Sequence, residues 1–305
     1  MSKPLVTICL ITYNHGKYIA QALDSIFQQD VDFQWELNIA DDCSTDDTRS
    51  IISDYYAKYP TIINLIFQQK NVGPAKNWRD LLLSANGKYI AYIEGDDYWA
   101  DKTKLKKQIN FLENNSDFSI CFHDVKSIDL ENQDCGDIYA LSEMPIVTSV
   151  EDLARRNYIP SPSVVVRNLP IIRNLPPWFD EIPMGDWPFY LIIAEFGKIG
   201  FIKEKLAVYR IHSSGSWSGS SFITNNQKNI KARGLLDKYF GFRYHSHFFN
   251  LEDFYNNEKL VMNYYLEIRN LNGYFNSVFK LIPFRRSLKK TWGYYLLLVR
   301  RYFLT

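Results

Sequence analysis

Two pairs of adjacent carboxylates, Asp41-Asp42 and Asp96-Asp97, each close an apolar, β-branched run. Adjacent acids repel, so setting Asp96 and Asp97 beside Glu94 costs stability unless a cation sits among them. A divalent metal meets that need, because Mg²⁺ and Mn²⁺ take hard oxygen ligands. Such an ion commonly bridges a diphosphate. Asp41 and Asp42 fit a binding role and a turn role about equally, whereas Asp46 and Asp47 read as ordinary turn and helix-start residues. Asp186 stands just before Pro188, which reads as the first residue of a helix. Taken alone it reads as a helix cap, and a helix N-terminus would favour its ionised form. His212 follows a strand-like run and opens the small polar stretch Ser213–Ser216, suited to a lid. Trp99 and Trp187 adjoin the acidic motifs, where an aromatic face can stack on a sugar or fill core.

These residues need a frame. Leu5–Thr12 is a continuous apolar run, the pattern of a strand buried on both faces. Ile19, Leu23, Ile26 and Phe27 recur at helical spacing after it. Leu37–Ala40 and Ile62–Phe67 read as further strands. Ser44 and Asp47 have capping-box spacing before a helix carrying Ile51, Ile52 and Tyr55. Ala75–Ala85 reads as a helix stopped by Asn86-Gly87, and Tyr89–Ile93 as a fourth strand. This alternation predicts a mostly parallel sheet flanked by helices, with ligands at the carboxyl ends of the strands. Both acidic pairs fall at such ends. Further on, Lys104–Glu113 and Pro188–Phe196 read as helices, and Phe118–His123, Val164–Arg167 and Leu206–Ile211 as strands. After about residue 220 the strand pattern stops and the chain turns helical and aromatic.

With 305 residues, 46% hydrophobic and 23% charged, the chain can bury a large core. Its net charge of +1 argues against a duplex-DNA binder. There is no GxxxxGK[ST] loop, no GxGxxG after the first strand and no GxSxG elbow. A phosphate-loop ATPase, a dinucleotide-dependent dehydrogenase and an α/β-hydrolase are thereby disfavoured. Cys9, Cys43, Cys121 and Cys135 form no CxxC pair, which fits reduced thiols. No stretch approaches the roughly 20 apolar residues of a spanning helix, and Met-Ser-Lys-Pro at the start does not read as a signal peptide.

Four segments together resemble a family 2 glycosyltransferase of the GT-A (nucleotide-diphospho-sugar transferase) fold. They are Val6–Asn14, Asp41–Thr48, Asn71-Val72-Gly73 and Tyr89–Trp99. Met184–Pro188 and Tyr209–Ser213 extend the likeness to about residue 218. It is closest to bacterial enzymes that build capsule, O-antigen or exopolysaccharide. The resemblance implies an α/β GT-A catalytic domain over residues 1–220; residues 221–305 lie outside the shared core and read from their own pattern as a C-terminal helical appendage. It implies an inverting, metal-dependent transfer of a sugar from a nucleotide-diphosphate sugar, a UDP-sugar favoured, to a glycan or lipid-linked hydroxyl. In that pattern Thr12, Tyr13 and Asn14 hold the donor nucleotide, and Asp41 or Asp42 accepts from the base. Lys76 lies near the phosphates and Asp96 faces ribose or sugar. Asp97 binds Mn²⁺ or Mg²⁺, and His212 ligates the metal or touches the diphosphate. Glu94 stands where the family usually has Asp. Asp186 is implied as the catalytic base, with Trp187 and Trp99 as acceptor or sugar contacts. A sugar-phosphate nucleotidyltransferase of the same fold and a non-catalytic binding module are the alternatives. The first is disfavoured because Tyr13-Asn14-His15-Gly16 is not the Gly-rich, Arg-containing loop it needs.

Residues 268–305 hold eight Lys or Arg and no acid, so residues 1–267 carry −7 of the +1 total. The same stretch is rich in aromatics, the composition of an interfacial membrane segment. The expectation is a cytoplasmic enzyme held peripherally on the inner face of the cell membrane, with no nucleic-acid partner.

Overall fold

The computed structural model describes residues 3–182, 185–212 and 220–248. The elements begin with β1 (Val6–Thr12), α1 (Ile19–Phe27), β2 (Trp35–Asp41), α2 (Thr48–Lys58), β3 (Ile63–Phe67), α3 (Pro74–Leu83) and β4 (Tyr89–Glu94). These strands pair in parallel in the order β3-β2-β1-β4. The chain winds outward from β1 to β3 and then crosses back to β4 on the other side of β1. That reversal opens a crevice at the carboxyl ends of β1 and β4, where ligands bind in sheets of this kind. Thr12, Asp41 and Glu94 are the last residues of their strands.

Beyond β4 the sheet is mixed rather than parallel. β5 (Tyr98–Trp99), α4 (Lys104–Asn114), β6 (Phe118–Ile128), β7 (Val147–Thr148), α5 (Val150–Arg155) and β8 (Val165–Arg167) follow. Then come α6 (Asp186–Ala194), β9 (Lys198–Arg210), α7 (Phe222–Tyr239) and α8 (His245–Phe248). β8 runs antiparallel to both β4 and β6, while β9 pairs in parallel with β6 and antiparallel with β5 and β7. β6 and β9 pair along almost their whole length, with register shifts between Phe118 and Ile120 and on both sides of Asp124.

The capping box expected at Ser44 and Asp47 does not form. Asp46 instead accepts from the backbone N–H and hydroxyl of Thr48 and from the Gly16 N–H. A capping box does start α5, between Ser149 and Asp152. Each face of the sheet has its own core. One packs α3, α5 and α6 around Trp78, Phe122 and Tyr190; the other packs α1 and α4 around Ile8, Leu10 and Leu105. α6 starts two residues before the expected Pro188, and every residue from Trp187 to Ala194 is buried. A helix apolar on all sides must lie inside the protein. Among the described residues no helix is long and apolar enough to cross a membrane.

Candidate active site

A cavity of about 520 Å³ opens at the crevice. Thr12, Tyr13 and His15 enter it from the end of β1, and Glu94 and Asp96 from the end of β4. Asp42 and Asn71 border it on one side; Asn157, Asp186 and Asn229 border it on the other. Asn229 belongs to α7, so residues on both sides of the boundary expected at residue 220 border this cavity. The rest of the expected appendage, 249–305, lies outside the described residues, as does the lid expected over 213–216.

Strand alternation separates Asp41 from Asp42. Asp41 is 0% exposed and accepts from the Ser44 N–H and hydroxyl and from Arg49, so it does not reach the cavity. Asp42 does line it, and its two oxygens accept the N–H groups of Val72 (2.7 Å) and Gly73 (2.9 Å). Burial lifts its carboxyl above the usual range against those two bonds. The Asn71-Val72-Gly73 motif is thus the loop that Asp42 shapes, with Gly73 at a positive φ of 86°. Tyr13 presents a ring 43% exposed, open to stacking.

Two expected donor contacts are elsewhere. Asn14 accepts at its Oδ1 from the Thr45 N–H (2.8 Å) and donates its own N–H to Ser44, pinning the β1 turn to the loop after β2. It does not border the cavity. Lys76 is also off the wall, because it pairs with Asp80 one turn along α3 at 2.8 Å.

Glu94, Asp96 and Asp97 each offer a carboxylate oxygen within 4.8 Å of the others, an arrangement able to hold a metal ion. Asp96 Oδ1 and Asp97 Oδ2 are buried with no hydrogen-bond partner, and Thr12 Oγ1 nearby is likewise unpartnered. Buried oxygens of that kind call for an ion or ligand. Asp96, rather than Asp97, borders the cavity. Its Oδ2 meets Nε2 of His212 at 2.8 Å and Nε2 of His15 at 3.6 Å. Burial raises the Asp96 carboxyl, but the facing His15 and His212 outweigh it and hold it below the usual range. Asp97 is behind, accepting the Arg210 N–H at 2.8 Å, and is pushed well up by burial and by the charges of Asp96 and Glu94. Burial, then Asp96 and Asp186, push Glu94 up to about 8. Arg210, buried on the Tyr18 ring, donates to the Asp96 carbonyl at 3.0 Å. The cluster therefore has a fixed cation beside it. Gly95 is required here, since a Cβ would come within 2.7 Å of Thr12 Oγ1.

Asp186 is the first residue of α6 and borders the same cavity. The preceding Gly185 packs on the Trp78 ring, where a Cβ would come within 2.3 Å. Contrary to the helix-start expectation, burial wins and raises the Asp186 carboxyl, despite the Trp187 N–H and the Asn157 amide. Both tryptophans are packed in the core. Trp187 is 1% exposed and donates to the Leu153 carbonyl; Trp99 is 3% exposed and donates to the Pro162 carbonyl. Their indole N–H groups found buried carbonyls, which sequence position could not reveal. His15, Asn157 and Asn229 escaped the sequence reading. His15 sits beside an expected residue, but Asn157 and Asn229 lie in no strand-end motif.

Residues 7–144 match the sequence model described as Glycosyl transferase family 2. The chain is 30% identical over 215 residues to a Methanocaldococcus jannaschii protein named as a glycosyltransferase, covering 69% of this chain and 72% of that one. It is 38% identical over 233 residues to an uncharacterized Mycobacterium tuberculosis protein, covering 75% of this chain. The match spans 64% of that relative's length. A Bacillus subtilis glycosyltransferase named for teichuronic acid biosynthesis is 38% identical over 110 residues, 36% of this chain and 42% of its own. Among solved structures, a Pyrobaculum calidifontis mannosyltransferase in complex with GDP-Man and Mn²⁺ superposes with a TM-score of 0.63 at 16% identity. It covers 98% of this chain and 84% of that one. Staphylococcus aureus TarS 1–349 in complex with UDP-GlcNAc gives 0.57 at 16%, over 89% and 90%. The crevice, its acidic cluster and the parallel half-sheet define a GT-A-type glycosyltransferase architecture. The chain belongs to glycosyltransferase family 2, and the proteins it is similar to include the one named for teichuronic acid biosynthesis.

Proposed function

We propose that this protein transfers a sugar, with inversion, from a nucleotide-diphosphate sugar to a hydroxyl of a surface glycan or its lipid-linked precursor. One observation carries the reading: a single cavity holds the open Tyr13 ring, the cavity-facing Asp96 and the helix-start Asp186. The nucleotide lies toward Tyr13 and Asp42. The acceptor hydroxyl lies at Asp186, whose carboxylate takes its proton as the oxygen bonds to the anomeric carbon and the bond to the diphosphate breaks. General-base assistance of this kind contributes roughly 10²–10⁴-fold. Glu94, Asp96, Asp97 and His212 would hold Mn²⁺ or Mg²⁺, which when bound offsets the charge gathering on the diphosphate. One base suffices because a diphosphate leaves without protonation, unlike the sugar oxygen in a glycosidase. The UDP and GDP complexes of the solved relatives make both nucleotides first choices as probes.

A thermal-shift screen of UDP, GDP and their sugar conjugates, with and without Mn²⁺, tests the reading. A ligand at about 100 times its dissociation constant adds roughly 2.7 kcal/mol of stability. Stabilisation that requires Mn²⁺ is expected; no shift with any of them overturns the proposal. The basic, aromatic residues 268–305 are assigned to the anionic inner face of the cell membrane. Flotation with anionic but not neutral vesicles, reversed by salt, is the expected result. Failure to float with anionic vesicles at low salt refutes it.

A further inference from the structure

We infer that Asn157 is the positioning residue that fixes the reactive carboxylate of Asp186; this rests on Asp186 being the base. Its side-chain N–H donates to Asp186 Oδ2 at 2.9 Å. Its own Oδ1 accepts the Ile159 N–H at 3.3 Å. The second bond decides the first: with the oxygen held by a backbone donor, the amide can only offer its NH₂ to Asp186. One carboxylate oxygen is thereby occupied, and the carboxylate plane is fixed relative to the cavity that both residues border.

The placement of Asn157 is built by the neighbouring helices. It follows the C-terminus of α5, where the last carbonyls of a helix lack intrahelical donors. Two side chains from elsewhere fill that role. Trp187, next to Asp186, donates its indole N–H to the Leu153 carbonyl at 2.8 Å. Arg233 of α7 donates to the Arg155 carbonyl at 2.8 Å while lying 5.1 Å from the Trp187 ring centroid. α5, α6 and α7 are therefore tied at the point where the chain leaves α5 for Asn157. Trp187, a residue whose sequence position suggested sugar, acts in this brace.

The other titratable groups around Asp186 are Glu94 and Tyr92 of β4, Tyr190 of α6, and Tyr139. Each interacts with the Asp186 charge, and Asn157 is the side chain that hydrogen-bonds it. A donor to a carboxylate favours the ionised form, so losing it moves the ionisation upward by about one to two pH units.

The test labels the aspartate carboxyl carbons of the full chain with ¹³C and follows Asp186 by pH titration. Its signal is identified by its disappearance in Asp186→Asn. Asn157→Asp is nearly isosteric, keeps the acceptor for Ile159, removes the donor and adds a negative charge. Asn157→Ala removes both without adding charge. The inference expects the Asp186 midpoint to rise by about one to two units in Asn157→Ala and further in Asn157→Asp. Calorimetric UDP affinity with Mn²⁺ should stay at the wild-type value. An Asp186 midpoint unchanged in both variants overturns it, as does a rise accompanied by loss of UDP binding, which would mark general disruption. The base assignment fails separately: Asp186→Asn would then transfer sugar at the wild-type rate, from whichever sugar nucleotide the thermal screen selects.

Discussion

The two sides of the cavity are built differently. On the β3-β2-β1-β4 side, Thr12 and Glu94 end their strands, and Tyr13, Asp42 and Asp96 stand one or two residues beyond. The strand itself aims them, and local order in the chain is spatial order in the site. On the Asp186 side, Asn157 leaves a helix, Asp186 starts one, and Asn229 sits within a third. None is aimed by a strand; their meeting depends on how α5, α6 and α7 pack. One side is thus robust to change outside its own motifs. The other is exposed to any change in helix packing.

That contrast can be broken by experiment. The largest effect belongs to Asp186→Asn, which should lower transfer by roughly 10²–10⁴-fold while calorimetry still finds UDP bound. Loss of UDP binding in that variant would merge the two sides. Next is Asp96→Asn, expected to weaken Mn²⁺-dependent UDP binding by more than about 100-fold, beyond the usual outer-shell effect. Asp97→Asn should cost less, because Asp97 is behind Asp96 and holds the Arg210 N–H. The reverse order would return the main ligand role to Asp97. Tyr13→Ala should cost about 1–3 kcal/mol of UDP affinity, the worth of one stacked base, and leave the melting temperature unchanged.

Trp187→Phe separates brace from sugar contact. Leaving the Leu153 carbonyl without its donor should lower stability by about 1–3 kcal/mol, seen in urea unfolding, with UDP affinity retained. Unchanged stability with a raised acceptor KM would restore the sugar contact. The last effect is away from the cavity and concerns stability alone. Lys104 is fully buried over the Trp99 ring and burial depresses it from 10.5 to about 7. The unfolded chain binds the proton more tightly, so stability should rise as pH climbs from about 7 toward 10.5. Lys104→Met should flatten that slope in urea titrations. A slope unchanged by the substitution would remove Lys104 as its source.

The legible part of the site was the part written in strand ends. Thr12, Tyr13, Asp42 and Asp96 border the cavity, as their motifs implied. Asn14 and Lys76 stand off the cavity wall, because a polar residue beside a motif can equally serve its loop or its helix neighbour. The sequence does not separate Asp41 from Asp42, because adjacent strand residues point to opposite faces and one sequence does not say which face is the cavity. For Trp99 and Trp187 the sequence leaves sugar contact and core open, because an indole near a motif gives no sign of the carbonyl its N–H meets.

By itself the sequence determined the parallel half of the sheet, the crevice at its strand ends and the family, since buried strands, their helices and their terminal acids are all local patterns. Tertiary structure alone decided that β8 and β9 complete a mixed sheet and that Asp96 faces inward ahead of Asp97. It also decided that Asn157 reaches Asp186 across 29 residues of chain. The physical reason is one of range: strand alternation and helix period are set by neighbours in the chain. A carboxylate's burial, partner and protonation are set by whatever the fold brings against it.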